Sequence, residues 1–455
     1  MVLIGHPLCL PNPDSPASGF KGPRGPLKHR CSLCLKPKSA LSRCTGCQVV
    51  RYCSREHQVQ HRQEHKSICN KIKKSRTKLN KEEHAVRYAE PDYMTPSNAF
   101  ETHVGYFWGL LNTRNYMRAR FDLADTVRRL GTLDGVSEGL DHMWDMLRLC
   151  RADNMGVRDL IPPMMLRLDQ DQECYDFIKS YATDGERGDY DQDNMNSPFL
   201  TVKDANLLEE VGYLNQLGHV QHISAVMLLK LKLLIDIINI KLARKVSATR
   251  LPPGLWKRVE FHVVRSPISR QWIGEPYHIL TSLQHKFQLH VKLLARSIRN
   301  FNEHFVYALL NADAHLGSYP AYWSPGSFEE VELLLQYSYV AWWEHEGALE
   351  LLQSAKSIAG KDSEDEIEDM MSGETFRNNP GSDRTREELL DDVSRNRLWG
   401  YFDDAVDDAQ SLSENRPSEV RRLERKAIWE AAKEEEGEYS EDDGDEDEDE
   451  DEDDD

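Results

Sequence analysis

The chain has 455 residues, 29% of them charged and 39% hydrophobic, with a formal net charge of −20. That length suffices for two or three domains around a sizeable core. The best apolar stretch, residues 226–242, carries Lys230, Lys232 and Asp236, which excludes a membrane span and predicts a buried amphipathic helix instead. Six of the nine cysteines crowd between positions 31 and 69. That excludes a disulfide framework and fits a reducing, intracellular compartment, cytoplasm or nucleus.

The charge is unevenly placed. Residues 434–455 hold 18 acidic side chains and no basic one, so removing them leaves about −2 on the rest. Between Lys21 and Glu82 stand 17 Lys or Arg against Glu56, Glu64 and Glu82, a local excess of +14. A basic head, a mildly acidic body and a polyanionic tail follow one another along the chain.

Residues 1–27, rich in Pro, Gly and Ser, have too few apolar groups to build a core and read as a disordered extension rather than a signal peptide. Residues 28–70 hold the densest chemistry in the chain: Cys31, Cys34, Cys44, Cys47, Cys53, His57, His65 and Cys69. Each CxxC pair offers two thiolates from one tight turn, and tetrahedral zinc needs two further ligands from elsewhere. Eight ligands suit two zinc ions with every coordination position closed, which builds a fold and leaves no position for catalysis. Cys53 and His57 are four residues apart, as are His65 and Cys69, so each pair lies on one face of a helix turn. His61 is spaced to replace His57 or His65 as a ligand; a solvent-facing side chain is the simpler reading.

A basic linker is expected over residues 71–84, then a helical domain over 85–357. Leu140, Met143, Trp144 and Leu147 mark one helix face, and Cys174, Ile178 and Tyr181 another. Leu280 to Leu309 follows helical spacing and reads as one long helix. Ser327 and Glu330 form a capping-box pattern after Pro325-Gly326, opening a helix with apolar face Val331, Leu334, Leu335, Tyr339 and Trp342. Val259–Val264 is a short strand candidate, and Pro162-Pro163 would break any helix that contained them. Residues 358–433 read as mostly disordered, with a short helix over 418–432, and residues 434–455 as a solvated acidic tail. That tail could fold back on the basic head, and Ser440, followed by Glu441, Asp442 and Asp443, suits an acidophilic kinase that would strengthen the masking.

The order CxxC, CxxC, Tyr52-Cys53, His57 and His65-x3-Cys69 resembles the MYND-type zinc finger, in the form found in fungal members. The resemblance implies interleaved ligands. One zinc would take Cys31, Cys34, Cys53 and His57, the other Cys44, Cys47, His65 and Cys69. It also implies a protein-interaction module that receives short proline-containing peptides. Two positions depart from the family pattern. His57 stands where Cys is usual, and Arg62 stands where a Trp follows the conserved-type Gln, here Gln58. Some such proteins also carry a lysine-methyltransferase domain, but its Asn-His and Pro-Asn elements and its Gly-rich turn are absent here. Asp153-Asn154, Gly156 and Arg158, and further on Tyr322, Ser324, Pro325, Gly326, Glu330, Trp342 and Gly347-Ala348-Leu349, resemble tetratricopeptide-like helix hairpins.

The fold expected is therefore mostly α: a small two-zinc cross-braced finger, an all-helical domain, tetratricopeptide-like or irregular, and a disordered acidic tail. No GxSxG, GxxxxGK[ST] or HExxH pattern occurs. His219 and His222 could share a metal on one helix face but lack a third ligand, and His278, His285, His290 and His304 read as polar positions on helices. The function expected is a non-enzymatic, zinc-binding protein–protein adaptor, with a role in transcriptional regulation as its narrower form. Nucleic-acid association through the basic head is the alternative, and a methyltransferase or other enzyme in the helical body the third.

Overall fold

The computed structural model describes residues 24–38, 40–92, 95–183, 199–216, 219–372, 385–410 and 417–441. A two-stranded antiparallel hairpin, β1 (Ser42–Arg43) and β2 (Arg51–Tyr52), opens the chain, and the rest is helical. Two units are distinguished, residues 1–232 with 286–407 and residues 233–285 with 408–455.

In the first unit, α1 (Arg55–Gln60) leads into α2 (Arg62–Arg87). The expected linker over residues 71–84 is thus the second half of a continuous 26-residue helix. Its basic side chains alternate with Ile72, Leu79 and Val86, all buried, so an apolar stripe runs beneath what reads as a charge run. After the short α3 (Ala99–Thr102), α4 (Arg114–Arg128) packs on this stripe and forms a helical hairpin with α5 (Leu133–Leu149). Thr132 caps α5 by accepting from the Gly135 amide at 3.1 Å, and Leu140, Met143 and Leu147 are buried as their spacing predicts.

Pro162 and Pro163 sit in the first turn of α6 (Ile161–Arg167), where no backbone amide is needed, so they open a helix instead of breaking one. α7 (Asp171–Thr183) buries Cys174 and Ile178. The lengths of α4 to α7, 15, 17, 7 and 13 residues, follow no fixed repeat.

α8 (Val220–Ser247) is buried on all sides rather than amphipathic. Its buried charges each have a partner. The Lys230 ammonium donates to the Leu207 carbonyl and lies 4.6 Å from the Tyr175 ring centre, and burial lowers it to about 7. Lys232 donates to Asp169 at 2.6 Å and Asp171 at 2.9 Å. No helix among the described residues is long and apolar enough to cross a membrane.

The helix expected to cross residues 280–309 is two, α10 (Tyr277–Phe301) and α11 (Phe305–Leu310). Buried Asn302 ends the first. Its side chain donates to the Ser327 carbonyl and to Glu330 and accepts from the His304 amide, so it competes with the helical backbone. His290, read as a polar position on a helix, lies on α10 and is buried. After α12 (Ala312–His315), Ser327 caps α13 (Phe328–Glu344), accepting from the Glu330 amide at 3.1 Å. Glu330 in turn accepts from Gly326, one residue earlier than the capping box predicts.

α14 (Ala348–Asp362) is followed by α15 (Glu364–Ser372), α16 (Arg386–Arg397) and α17 (Phe402–Asp407). Residues 358–433, expected mostly disordered, are largely helical where described. Leu389, Leu398, Phe402 and Val406 are buried, with α14 packed on both α16 and α17. Residues 24–27 depart from the expected disorder too: the Gly25 amide donates to the Glu344 carbonyl at 3.0 Å and Arg24 lies 4.4 Å over Trp343. Residues 1–23, and the acidic tail beyond Glu441, lie outside the described residues.

In the second unit, Val259 falls in α9 (Pro253–Val263), so the strand candidate is helical. α9 packs on α18 (Pro417–Glu441), a longer helix than the 418–432 segment suggests. Ala243, Val259, Val420 and Ala427 form their common core. Glu260 is fully buried and accepts from Arg244 at 2.7 Å.

Arg167 and Glu344 form a buried two-pronged ion pair between α6 and α13, with distances of 2.9 and 2.8 Å. Removing one partner strands a buried charge, at a cost of about 3–5 kcal/mol. Glu344→Ala is expected to lower unfolding free energy by that amount in urea titration, and the apolar double variant Arg167→Met with Glu344→Leu to recover most of it.

Candidate metal centre

The finger is built from two turns of the same design. Leu35 lies four residues after Cys31 and Gln48 four after Cys44. Both adopt left-handed φ, 56° and 64°, and their amides donate back to the first cysteine's carbonyl at 2.8 and 2.9 Å. The β1–β2 hairpin carries the second turn in its loop and delivers Cys53 just past β2. Ser54 then caps α1, accepting from the His57 amide at 3.3 Å, which sets His57 one turn beyond Cys53. His65 and Cys69 are adjacent turns at the start of α2.

These elements gather eight side chains into two groups, Cys31/Cys34/Cys53/His57 and Cys44/Cys47/His65/Cys69, with donor atoms within 4.8 Å of one another in each. All eight sequence-predicted residues fall in these groups, in the interleaved arrangement. The edges have the length that a tetrahedral zinc requires, about 3.8 Å between sulfurs and about 3.5 Å between sulfur and nitrogen. Cys34 and Cys53 sulfurs are 3.9 Å apart, Cys44 and Cys69 sulfurs 3.8 Å. His57 turns Nδ1 to Cys31 and Cys53, at 3.4 and 3.2 Å, whereas His65 turns Nε2 to Cys47 at 3.5 Å. The two clusters fit two zinc ions.

The electrostatics of the two clusters differ. Burial raises the Cys31 thiol, but backbone hydrogen bonds at Cys34 and Cys53 and one from His57 outweigh it and bring the group down to about 6. In the other cluster burial, then the charges of Cys44 and Cys47, push Cys69 up to about 11. Burial holds His65 down to about 4, keeping its imidazole neutral. Several thiolates crowded together resist ionisation until a divalent ion compensates them. Gly46 is required by close approach: a Cβ there would lie 2.7 Å from Cys69 Sγ.

His61 belongs to neither group. Its Nδ1 is 3.0 Å from the Tyr52 hydroxyl and its ring stacks on His65 at 5.8 Å, so it supports the fold and is neither ligand nor free surface side chain. His219 and His222 join no metal group among the described residues; His222 is buried, with Nε2 3.4 Å from the Arg158 carbonyl.

Sequence reasoning missed what holds the finger in place. Asp134, near the start of α5, accepts from Arg51 at 2.5 and 2.8 Å and from Arg43 at 2.9 Å, with His29 Nδ1 3.5 Å away. Arg76 on α2 donates to both the Cys47 carbonyl, at 3.1 Å, and Glu138, at 2.8 Å. Gly135 makes room for this contact, because a Cβ would come 3.1 Å from Val49 Cγ1 and 2.4 Å from the Val127 carbonyl. Nothing in the spacing of Asp134 or Glu138 marks them out, since ordinary surface helices carry acids at the same positions.

Residues 31–69 match the family model of the MYND finger. This segment is a MYND finger. Searches among curated proteins and among solved structures found no match. MYND fingers are zinc-binding modules of protein–protein interaction.

Burial raises the Asp134 carboxyl, but the hydrogen bond and charge of Arg51, then Arg43 and His29, hold it below the usual carboxylate range. Its stabilisation is therefore complete above that range and is lost as pH falls through the folded value. Asp134→Asn is expected to cost about 1–3 kcal/mol at neutral pH, a difference that narrows in acid as the native carboxyl takes up its proton. Chemical denaturation across pH, with zinc content held at two per chain, checks this.

Proposed function

We propose that this chain is a zinc-dependent protein–protein adaptor in which Cys31, Cys34, Cys53 and His57 hold one zinc and Cys44, Cys47, His65 and Cys69 the other. One observation carries the reading: two closed four-donor clusters sit on a hairpin and a helix that continues into the helical body. A closed tetrahedral site offers no open position for substrate, so the metals stabilise a surface. That surface includes Val59, 63% exposed, and Leu35, 52% exposed, together with Gln58 and Arg62. Short proline-containing segments are the narrower class of partner, with Arg62 supplying a cation where an aromatic ring is usual, and transcriptional regulation is the narrower biological setting. An intracellular location, cytoplasm or nucleus, follows from thiols committed to metal.

Nucleic-acid association is the second reading. The local excess of positive charge favours it, yet Arg43, Arg51, Arg76 and Lys78 are already paired with Asp134, Glu138 and Asp122. Fewer cations remain for phosphates than the composition suggests. A steep fall in nucleic-acid affinity between low and moderate salt would favour this second reading.

Purified protein should hold two zinc ions by elemental analysis. Cys44→Ser and Cys31→Ser should each reduce this to about one and weaken partner capture from an extract at least tenfold, with most far-ultraviolet helical signal retained. Zinc content unchanged by both substitutions would refute the ligand assignment. Intact zinc binding with no finger-dependent partner would refute the adaptor role.

A further inference from the structure

The two clusters are not equivalent. Cys44, Cys47, His65 and Cys69 are all buried, and the most open of them is 7% exposed. In the other cluster Cys31 alone is buried, while Cys34, Cys53 and His57 are half-buried. Among the described cysteines of the whole chain, Cys34 and Cys53 are the two that are not buried.

The difference follows from what stands behind each donor. His65 and Cys69 lie on α2, which goes on to bury Ile72, Leu79 and Val86. Cys47 is gripped through its carbonyl by Arg76, at 3.1 Å, and Arg76 is itself paired with Glu138. A Cβ on Gly46 would meet both Cys69 Sγ and Lys73 Cε at 2.7 Å, so backbone and lysine stem crowd that sulfur. The half-buried donors have less support. His57 sits on α1, six residues long with none buried, and Cys53 sits between β2 and that helix. Cys34 belongs to a turn closed by the Leu35 amide on the Cys31 carbonyl at 2.8 Å, and Leu35 is exposed. Opening this cluster separates short elements locally, whereas opening the other lifts α2 from the body.

Oxidation of a cysteine is decided by its thiolate character and by access. Zinc holds its cysteines as thiolates, so access discriminates between the clusters. The Cys34 and Cys53 sulfurs are 3.9 Å apart. We infer that Cys34 and Cys53 form an oxidation site, through which a peroxide empties the first zinc cluster and spares the second. One thiolate attacks the peroxide, forming an S–O bond as the O–O bond breaks and hydroxide leaves. The other sulfur attacks the resulting sulfenic sulfur, forming an S–S bond and expelling a second hydroxide. The two sulfurs give up two electrons, and two protons from solvent turn the two hydroxides into water. Only Cys31 and His57 then remain as donors, too few for a tetrahedral ion. A thiol reductant reverses the step.

Leu35 follows Cys34 directly and Val59 lies two residues past His57, and both belong to the contact surface proposed above. Oxidation therefore switches off the finger's contact and leaves α2 and the body in place. That consequence rests on the adaptor reading; the oxidation site does not.

The test treats the full, zinc-loaded chain with hydrogen peroxide while a chromogenic zinc indicator follows release. Loss of one zinc per chain, a Cys34–Cys53 disulfide by peptide mass mapping and an unchanged far-ultraviolet helical signal are expected, with dithiothreitol and added zinc restoring the starting content. Cys53→His keeps a zinc donor and removes the second sulfur, so it should lose the first ion about tenfold more slowly. Arg76→Ala loosens the grip on Cys47 and should hasten loss of the second ion while the first leaves at the native rate. Both ions leaving the native protein together, the second leaving first, or release with Cys34 and Cys53 still reduced overturns the inference. Zinc release and mass mapping need no partner, so the absence of any finger-dependent partner refutes the adaptor reading alone.

Discussion

Cys47 answers to two constraints at once. Its sulfur closes on His65 Nε2 at 3.5 Å, and its carbonyl takes a hydrogen bond from Arg76, which also binds Glu138. His65 and Arg76 lie on the same helix, α2, and that helix buries Ile72, Leu79 and Val86 against the body. The metal cluster therefore does more than fold a short segment that has too little core of its own. It fixes the start of a helix whose remainder is a core element of the first unit. Zinc binding and packing of the body share one rigid strut, and energy from either stabilises the other.

The same economy governs α8. A helix buried all round would normally be apolar throughout, yet this one holds Lys230, Lys232 and Asp236 at full burial. Asp236 accepts from the Arg265 and Ser266 amides at 2.9 Å each, which ties down the loop after α9. Lys232 reaches two carboxylates flanking the start of α7. Buried charge is expensive unless it is paired and hydrogen-bonded, so these groups hold loops in one arrangement where an apolar core would let them slide.

What was legible in the sequence was what has a fixed spacing. All eight cluster residues could be read because ligand chemistry demands particular residue types at particular intervals. The burial of Leu140, Met143, Leu147, Val331, Leu335 and Trp342 could be read because helical periodicity is strict. Where spacing says little, reading failed. The charges of residues 71–84 hid a stripe made of only three apolar residues, and residues 385–410 looked unfolded because Leu389, Leu398, Phe402 and Val406 are spread thinly among acids. Val259 to Val264 looks strand-like in isolation, but α18 offers Val420 and Ala427 as a surface on which Val259 packs as part of a helix. Asn302 ended a helix that its neighbours would continue, because its side chain finds Ser327 and Glu330, partners far away in sequence. Asp134 left no trace in the sequence at all: its role depends on Arg43, Arg51 and His29, contributed by the finger.

That last residue bears on the meaning of the basic head. Taken as composition, an excess of +14 over residues 21–82 describes a surface for phosphates. In three dimensions Arg43, Arg51 and Arg76 face Asp134 and Glu138, and Arg76 spends part of its donor capacity on the Cys47 carbonyl. Those guanidiniums position the finger on the body. Arg55, Arg62 and Lys66 on α1 and α2 stay exposed, as do Val59 and Leu35. A mixed apolar and cationic surface of this kind suits a polypeptide better than a phosphate backbone, because the exposed valine and leucine would gain nothing from a polyanion and gain burial from a protein partner.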